Sequence, residues 1–293
     1  MRILAESGSP KAGTAHNRFR DIELETQEYP GADSRGTPAI WTRFIMAKNL
    51  LRYGLSLLIL FAAWKGATVA FAIPVFVVPA PEHVLYTIFT ESGSFLSHTE
   101  STLVNMAGGI AIGISLGVIF GTAIAYSPIL HWLFEPYLVI FQSFPREALI
   151  PVVVVWLGFG REPKIFNSAL LSFFPMAVIT ANGLVDTRTE YLELVKNWGA
   201  SRWQEFRYCR FPNALQQIAG GLRIAVPLGL IGAVLGEFMG GNEGLGYVVV
   251  SSGANYRMDR SFAALVILSL LGMLSHVTIH FVQNVLLAKY KQE

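Results

Sequence analysis

Apolar residues run almost unbroken over six stretches of the chain, near 50–71, 102–126, 130–157, 163–184, 217–239 and 262–287, with polar segments between them. Coiled into helices, stretches of this length cross a hydrocarbon layer of about 30 Å, for which roughly 20 apolar residues suffice. The pattern predicts an all-α integral membrane protein with about six transmembrane helices. The third stretch carries Pro136, Pro145 and Pro151, each without an amide donor, so it is expected as a broken helix or two short pieces.

Two stretches carry small residues at helical spacing. Gly109, Gly113, Gly117 and Gly121 share one face of the second, and Gly232, Gly236 and Gly240 repeat the device in the fifth, where Pro227 favours a bend. Such a face lets another backbone approach closely, either as a sliding surface in gating or as static helix packing.

Basic residues orient the spans, because Lys and Arg collect on the cytoplasmic side. Arg43, Lys48 and Arg52 precede the first stretch and Lys289 and Lys291 follow the last, which places both termini in the cytoplasm. The segment from Ile73 to Ser101 holds Glu82, Glu91 and Glu100 but no Lys or Arg, as an external loop would. The segment between the fourth and fifth stretches holds Arg188, Lys196, Arg202, Arg207 and Arg210 and is expected inside; Arg257 and Arg260, in an external loop, run against the trend. Before about Trp41 the chain mixes Arg18, Arg20, Asp21, Glu23 and Glu25 without an apolar run, unlike a cleavable signal peptide. Residues 1–48 are therefore read as a polar cytoplasmic extension, a plain tail or a regulatory one, and 49–293 as the transmembrane domain.

Composition narrows the function. Of 293 residues 53% are hydrophobic and only 14% charged, too little charge for a soluble protein of this length. A net charge of +2 gives no electrostatic footprint for nucleic acid. The single cysteine, Cys209, excludes an intrachain disulfide, and no Cys/His cluster has zinc-site spacing. His276 and His280 lie four apart, a spacing open to a metal or to packing, but no third ligand accompanies them. There is no nucleophile–base constellation and no glycine-rich phosphate loop ending in Lys-Ser or Lys-Thr, so neither catalysis nor ATP binding is expected of this chain. A secondary transporter or channel stays open as an alternative, although the internal repeats and intramembrane ion sites it would need are not evident.

Charges inside the apolar stretches are candidate pathway residues. Arg146 and Glu147 follow Pro145 in the broken third stretch, where a charge costs about 2.5–3.5 kcal/mol unless paired or hydrated. Arg146 can offer an anion a hydrogen-bonding surface, or it can form a structural pair or sit at the interface. Glu237 fits either an external gate or a polar cap on a dimer interface. Lys65 fits a snorkelling anchor or a substrate contact.

The segment from about 186 to 213 is too polar to span, yet has helical spacing interrupted at Gly199. Tyr191, Leu192 and Val195 share one side of a short helix, Trp203, Phe206 and Arg207 one side of another beginning near Ser201. Within it, Glu193-Leu194-Val195, Gly199, then Cys209, Phe211 and Pro212 keep the spacing of the EAA loop, so the chain resembles the permeases of ATP-binding-cassette importers; Leu194 and Val195 stand where that pattern has alanines and Cys209 where it has isoleucine. Leu57 through Trp64, Pro74 through Pro81, Trp156-Leu157-Gly158-Phe159-Gly160, Phe173-Phe174-Pro175 and Gly244-Leu245-Gly246-Tyr247 are similar to the nitrate, sulfonate, taurine and bicarbonate permease group.

That resemblance implies a type I importer permease fold of the MetI-like kind. It implies an ATPase-coupling set of Glu193, Gly199, Ala200, Ser201, Arg202, Trp203, Phe206 and Pro212, with Glu193 bracing the loop, Gly199 permitting the turn and Ala200 through Phe206 making the contact. The partners implied are two ATPase subunits, which use ATP and Mg while this chain binds no cofactor, a periplasmic or extracellular solute-binding protein, and a second permease copy as a homodimer in the bilayer of a bacterial plasma (inner) membrane. The solute implied is a small organic or inorganic anion.

Overall fold

The computed structural model describes residues 39–288, and the regular structure among them is helical. In chain order the helices are α1 (Ala39–Ala70), α2 (Pro81–Thr90), α3 (Ser92–Tyr126), α4 (Pro128–Ser143), α5 (Ile150–Leu157), α6 (Glu162–Val185), α7 (Thr189–Asn197), α8 (Arg202–Glu205), α9 (Phe211–Met239), α10 (Leu245–Ala254) and α11 (Met258–Ala288). The polar extension before Ala39, and Lys289 and Lys291, lie outside the described residues.

The chain divides into two units between Phe61 and Ala62, inside α1. The first is the leading part of that helix, which begins at Ala39, ahead of the apolar run; Ser56 Oγ there donates back to the Arg52 carbonyl at 2.9 Å. The second unit is the helical bundle from Ala62 onward.

In the bundle α6 lies between α3 and α9, and 61% of its most apolar stretch is buried, against 22% for α3. Glycines make this possible. A Cβ on Gly117 would meet Met176 Cβ at 2.7 Å and the Phe173 carbonyl at 2.8 Å, and one on Gly121 would meet Thr180 Cβ at 2.8 Å; Gly109 and Gly113 press as hard on Ser168 and Ser172. From the other side a Cβ on Gly232 would meet the Asn167 carbonyl oxygen at 2.5 Å and one on Gly236 the Lys164 Cα at 2.9 Å. The first glycine face and Gly232 and Gly236 of the second thus grip one helix of their own chain, at approaches only a missing side chain allows, whereas Gly240 stands just past the end of α9, where a Cβ would meet Val154 of α5 at 3.4 Å. Two apolar clusters fill the rest, one around Val84, Phe95, Leu245, Val248 and Ala264, the other around Met176, Leu184, Ala214 and Ile218.

Four helical runs among the described residues are long and apolar enough to cross a membrane: α3, α6, the run Arg202–Met239, and α11. The third expected span is broken, as its prolines dictate. α4 stops at Ser143, Arg146–Leu149 form a 3₁₀ turn, and α5 restarts with Pro151 in its first turn. The segment 73–101, read from sequence as a loop, holds α2 and the first turns of α3. Pro81 starts α2 where its missing amide costs nothing, and Val84 and Thr87 bury one side of it. Arg257 and Arg260 also find their explanation at this end. Arg257 lies 2.6 Å from Glu91 and 3.2 Å from Asp259, and Arg260 3.1 Å from Glu91, so these bases are neutralised by local acids.

Candidate coupling hairpin and polar clusters

The segment after α6 folds as a helical hairpin whose turn is fixed by its own backbone. α7 ends at Asn197, and Gly199 takes φ +79°, a left-handed conformation that a side chain would strain. The Gly199 amide then donates to Lys196 O at 2.9 Å and the Ala200 amide to Val195 O at 3.2 Å, which completes a Schellman closure. The next residue opens a capping box: Ser201 Oγ accepts from the Gln204 amide at 3.3 Å, and Gln204 Oε1 accepts from the Ser201 amide at 2.8 Å. One helix is closed and the next begun with only Ala200 between, leaving the turn no slack.

Beyond α8 the helix does not stop. Phe206–Arg210 form a π turn that leads directly into α9. Pro212 supplies the reason: it cannot donate to the carbonyl four residues back, and the wider turn ahead of it absorbs the loss. The hairpin's second helix is thus the leading end of a membrane span.

The expected contact residues fall into two groups. Trp203 is 68% exposed and Trp198 80%, with Ser201 and Arg202 also on the surface, while Glu193 lies exposed on the flank of α7. Phe206 and Pro212 turn inward. The Phe206 ring meets Tyr126 edge-on at 5.4 Å and contacts Trp203 and Phe211. The buried acid of the hairpin is Glu205, which sequence reasoning missed. Arg210 Nε donates to it at 2.7 Å, its Nη1 donates to Leu184 O at 3.2 Å, and its guanidinium lies over the Tyr126 ring at 5.8 Å. One arginine joins the hairpin to the ends of α3 and α6.

At the opposite end of the bundle Glu237 is 1% exposed, enclosed within this chain. Thr102 Oγ1 donates to it at 3.0 Å, Asn105 Nδ2 at 3.1 Å and the Gly246 amide at 3.0 Å. The Leu245 amide donates to Thr102 Oγ1 at 2.8 Å and the Gly244 amide to His98 Nδ1 at 3.2 Å. Gly244 and Gly246 are required here because a Cβ on either would strike Glu237. The segment 240–244 forms a strap between α9 and α10, and Lys164 holds it from α6 by donating to Glu243 O at 3.0 Å. The Arg161 guanidinium, helped by the Ser101 hydroxyl, holds the Glu243 carboxyl below the usual carboxylate range. Nearby, Lys65 pairs with Glu82.

Arg146 lies at neither end. It sits half-buried in the 3₁₀ turn between α4 and α5, with its guanidinium 5.8 Å from the Phe174 ring centroid, and Phe174 is midway along α6. Its Nε is buried and, among the described residues, without a hydrogen-bond partner. Glu147 beside it is exposed. The break between α4 and α5 thus sets a charged side chain beside the middle of α6.

The described residues thus form a helical bundle with several membrane-length spans, a hairpin at one end and an interrupted helix packed beside α6. The family described as binding-protein-dependent transport system inner membrane component matches residues 109–291, and the chain belongs to it. It is the permease subunit of an ABC importer, not itself an enzyme; the family works with a separate ATPase and a substrate-binding partner. A probable ABC transporter permease protein of Haemophilus influenzae is 35% identical over 76% of this chain and 89% of its own length. The formylaminopyrimidine transport permease protein of Halalkalibacterium halodurans is 36% identical over 74% of this chain and 88% of its own. A chain from inward-facing conformations of the MetNI methionine ABC transporter shares the fold, with a TM-score of 0.53 over 67% of this chain and 95% of that one at 21% identity.

Proposed function

We propose that this permease imports a small organic or inorganic anion, pairs with a second copy of itself, and is driven by two ATPase subunits docked on the hairpin. The hairpin end and both termini then face the cytoplasm of a bacterial plasma (inner) membrane, the Glu237 end faces the solute-binding protein, and ATP and Mg are left to the ATPase. The observation that carries the reading is the hairpin: Trp198, Arg202 and Trp203 stand out from a turn with no slack, and its second helix continues into a span. A displacement of that surface reaches the membrane helices only through a stiff connection, which suits a device that must bias two conformations. Glu193, Gly199, Ala200 and Ser201 shape the surface, Arg202 and Trp203 make the contact, and Phe206 and Pro212 set it on the bundle.

The reading of an anion is supported by Arg146, whose buried Nε has no hydrogen-bond partner among the described residues, with Glu147 exposed on the same turn as the neighbouring pathway residue. A second reading, an aromatic heterocycle, is favoured by the Phe173–Phe174 pair at 5.1 Å beneath Arg146 and by the solute named for the H. halodurans relative.

The test is co-purification followed by uptake. The tagged chain should carry an ATPase out of native membranes, and W203A with R202E should lose it; transport that persists without any ATPase partner would favour a secondary transporter or channel. In proteoliposomes of the whole importer, R146Q should abolish uptake with assembly intact, and preserved uptake would remove Arg146 from the pathway. Competition by an alkyl sulfonate or by a pyrimidine separates the two solute classes.

A further inference from the structure

Two cavities open at the base of the hairpin and share Tyr126 and Arg202 in their walls. One, of about 420 Å³, is faced by Lys196, Arg202 and Arg210, with Glu205 as the sole carboxylate among the described residues of its wall. Glu205 is committed to Arg210 at 2.7 Å, so Lys196 and Arg202 face the cavity without a counter-charge from the described residues of its wall. The other cavity, of about 290 Å³, is lined further by Thr122, Trp203 and Phe206. The Thr122 hydroxyl donates to Val118 O within its own helix at 2.7 Å, so this wall is apolar.

The position matters as much as the chemistry. Apolar α3 ends at Tyr126, and Ser127 and Pro128 turn the chain there. The paired cavities therefore stand at the level where acyl chains give way to headgroups, the depth at which Trp and Tyr belong. Cations beside an apolar slot at that depth complement a molecule that is anionic at one end and hydrocarbon at the other.

We propose that, while no ATPase is docked on the hairpin and Arg202 and Trp203 are free of that contact, the two cavities together bind one anionic phospholipid, its phosphate among Lys196, Arg202 and Arg210 and the head of an acyl chain along Thr122, Trp203 and Phe206. Arginine suits a phosphate through paired N–H donors, and each basic side chain near an anionic surface strengthens binding about fivefold. Free phosphate shares the first half of this chemistry but makes no use of the apolar cavity. Lipid binding needs no ATPase, so its outcome is separate from that of hairpin docking.

The test uses the full chain in nanodiscs of mixed phosphatidylglycerol and phosphatidylcholine, released and weighed by native mass spectrometry. The protein should retain phosphatidylglycerol in preference to phosphatidylcholine. K196Q should weaken that retention about fivefold and K196Q/R202Q about twenty-five-fold, and T122W, which fills the apolar cavity at unchanged charge, should weaken it as well. Equal retention of both lipids, or retention indifferent to K196Q and T122W, would overturn the proposal. So would displacement of the lipid by millimolar inorganic phosphate with unchanged affinity in T122W, which would assign the cavity to a free anion.

Discussion

Arg210 and Glu205 meet across the π turn, Nε to Oε1 at 2.7 Å, although they stand five residues apart. A regular α-helix brings together residues three and four apart, whereas the i→i+5 bonding of a π turn brings together those separated by five. Pro212, by provoking the π turn, sets up the pair that anchors the hairpin.

Breaking that pair from one side should therefore cost more than deleting it. R210A leaves the buried Glu205 carboxylate and the Leu184 carbonyl without their donor, and about 3 kcal/mol of stability should be lost. E205L/R210M should recover most of it. Thermal unfolding in detergent reads both; equal loss in the two variants would show that packing, not the charge pair, holds the hairpin.

The Glu237 cluster makes a similar claim at the other end. E237A strands donors from Thr102, Asn105 and Gly246, and G244A forces a side chain onto the carboxylate. Both should lower the unfolding midpoint by several degrees and raise hydrogen exchange across 241–246. E237Q keeps an acceptor for the Gly246 amide and should fall between E237A and the unaltered protein.

Glycines in the two faces that grip α6 should differ sharply from glycines elsewhere. G121V drives a branched side chain into Thr180 and the backbone of α6 and should abolish a folded, monodisperse product. Gly66 has open space around it, so G66A should be neutral or stabilise by up to about 1 kcal/mol. Size-exclusion profiles after expression suffice to tell the two apart.

The strap should also respond to acid. Because the folded Glu243 carboxyl is held below its ordinary range by Arg161, its tether contributes fully above the unfolded value of about 4.3 and is lost as pH falls through the lower folded value. The difference in unfolding midpoint between the protein and E243Q should be constant above about pH 5 and shrink progressively as the pH falls below the ordinary carboxylate value. A difference that instead grew in acid would contradict the Arg161 tether.

What the sequence disclosed depends on how local the cause was. The hairpin was legible because Gly199, Ser201 and the acids and bases around them act within a few residues, and the break in the third span because Pro145 and Pro151 act on their own backbone. Helix α2 was missed. Its signals were present, with Pro81 at a helix start and Val84 and Thr87 at helical spacing, but ten residues with few charges beside longer apolar runs read as a loop. The Glu205–Arg210 pair was hidden because its spacing fits no α-helical face, and the Glu237 cluster because α3, α9 and the strap meet only in the folded chain. The glycine stripes were visible, yet their partner, α6, was not.

One helical run of 38 residues, Arg202–Met239, joins the hairpin to the Glu237 cluster, a rod of about 57 Å. Phase as well as length is locked along such a rod. Inserting a single residue between Pro212 and Pro227 would rotate Trp203 by about 100° relative to Glu237, while four would bring it back to within about 40°. The two ends of the protein are thus kept in step by a count of residues, and a change that touches neither end can still put them out of register.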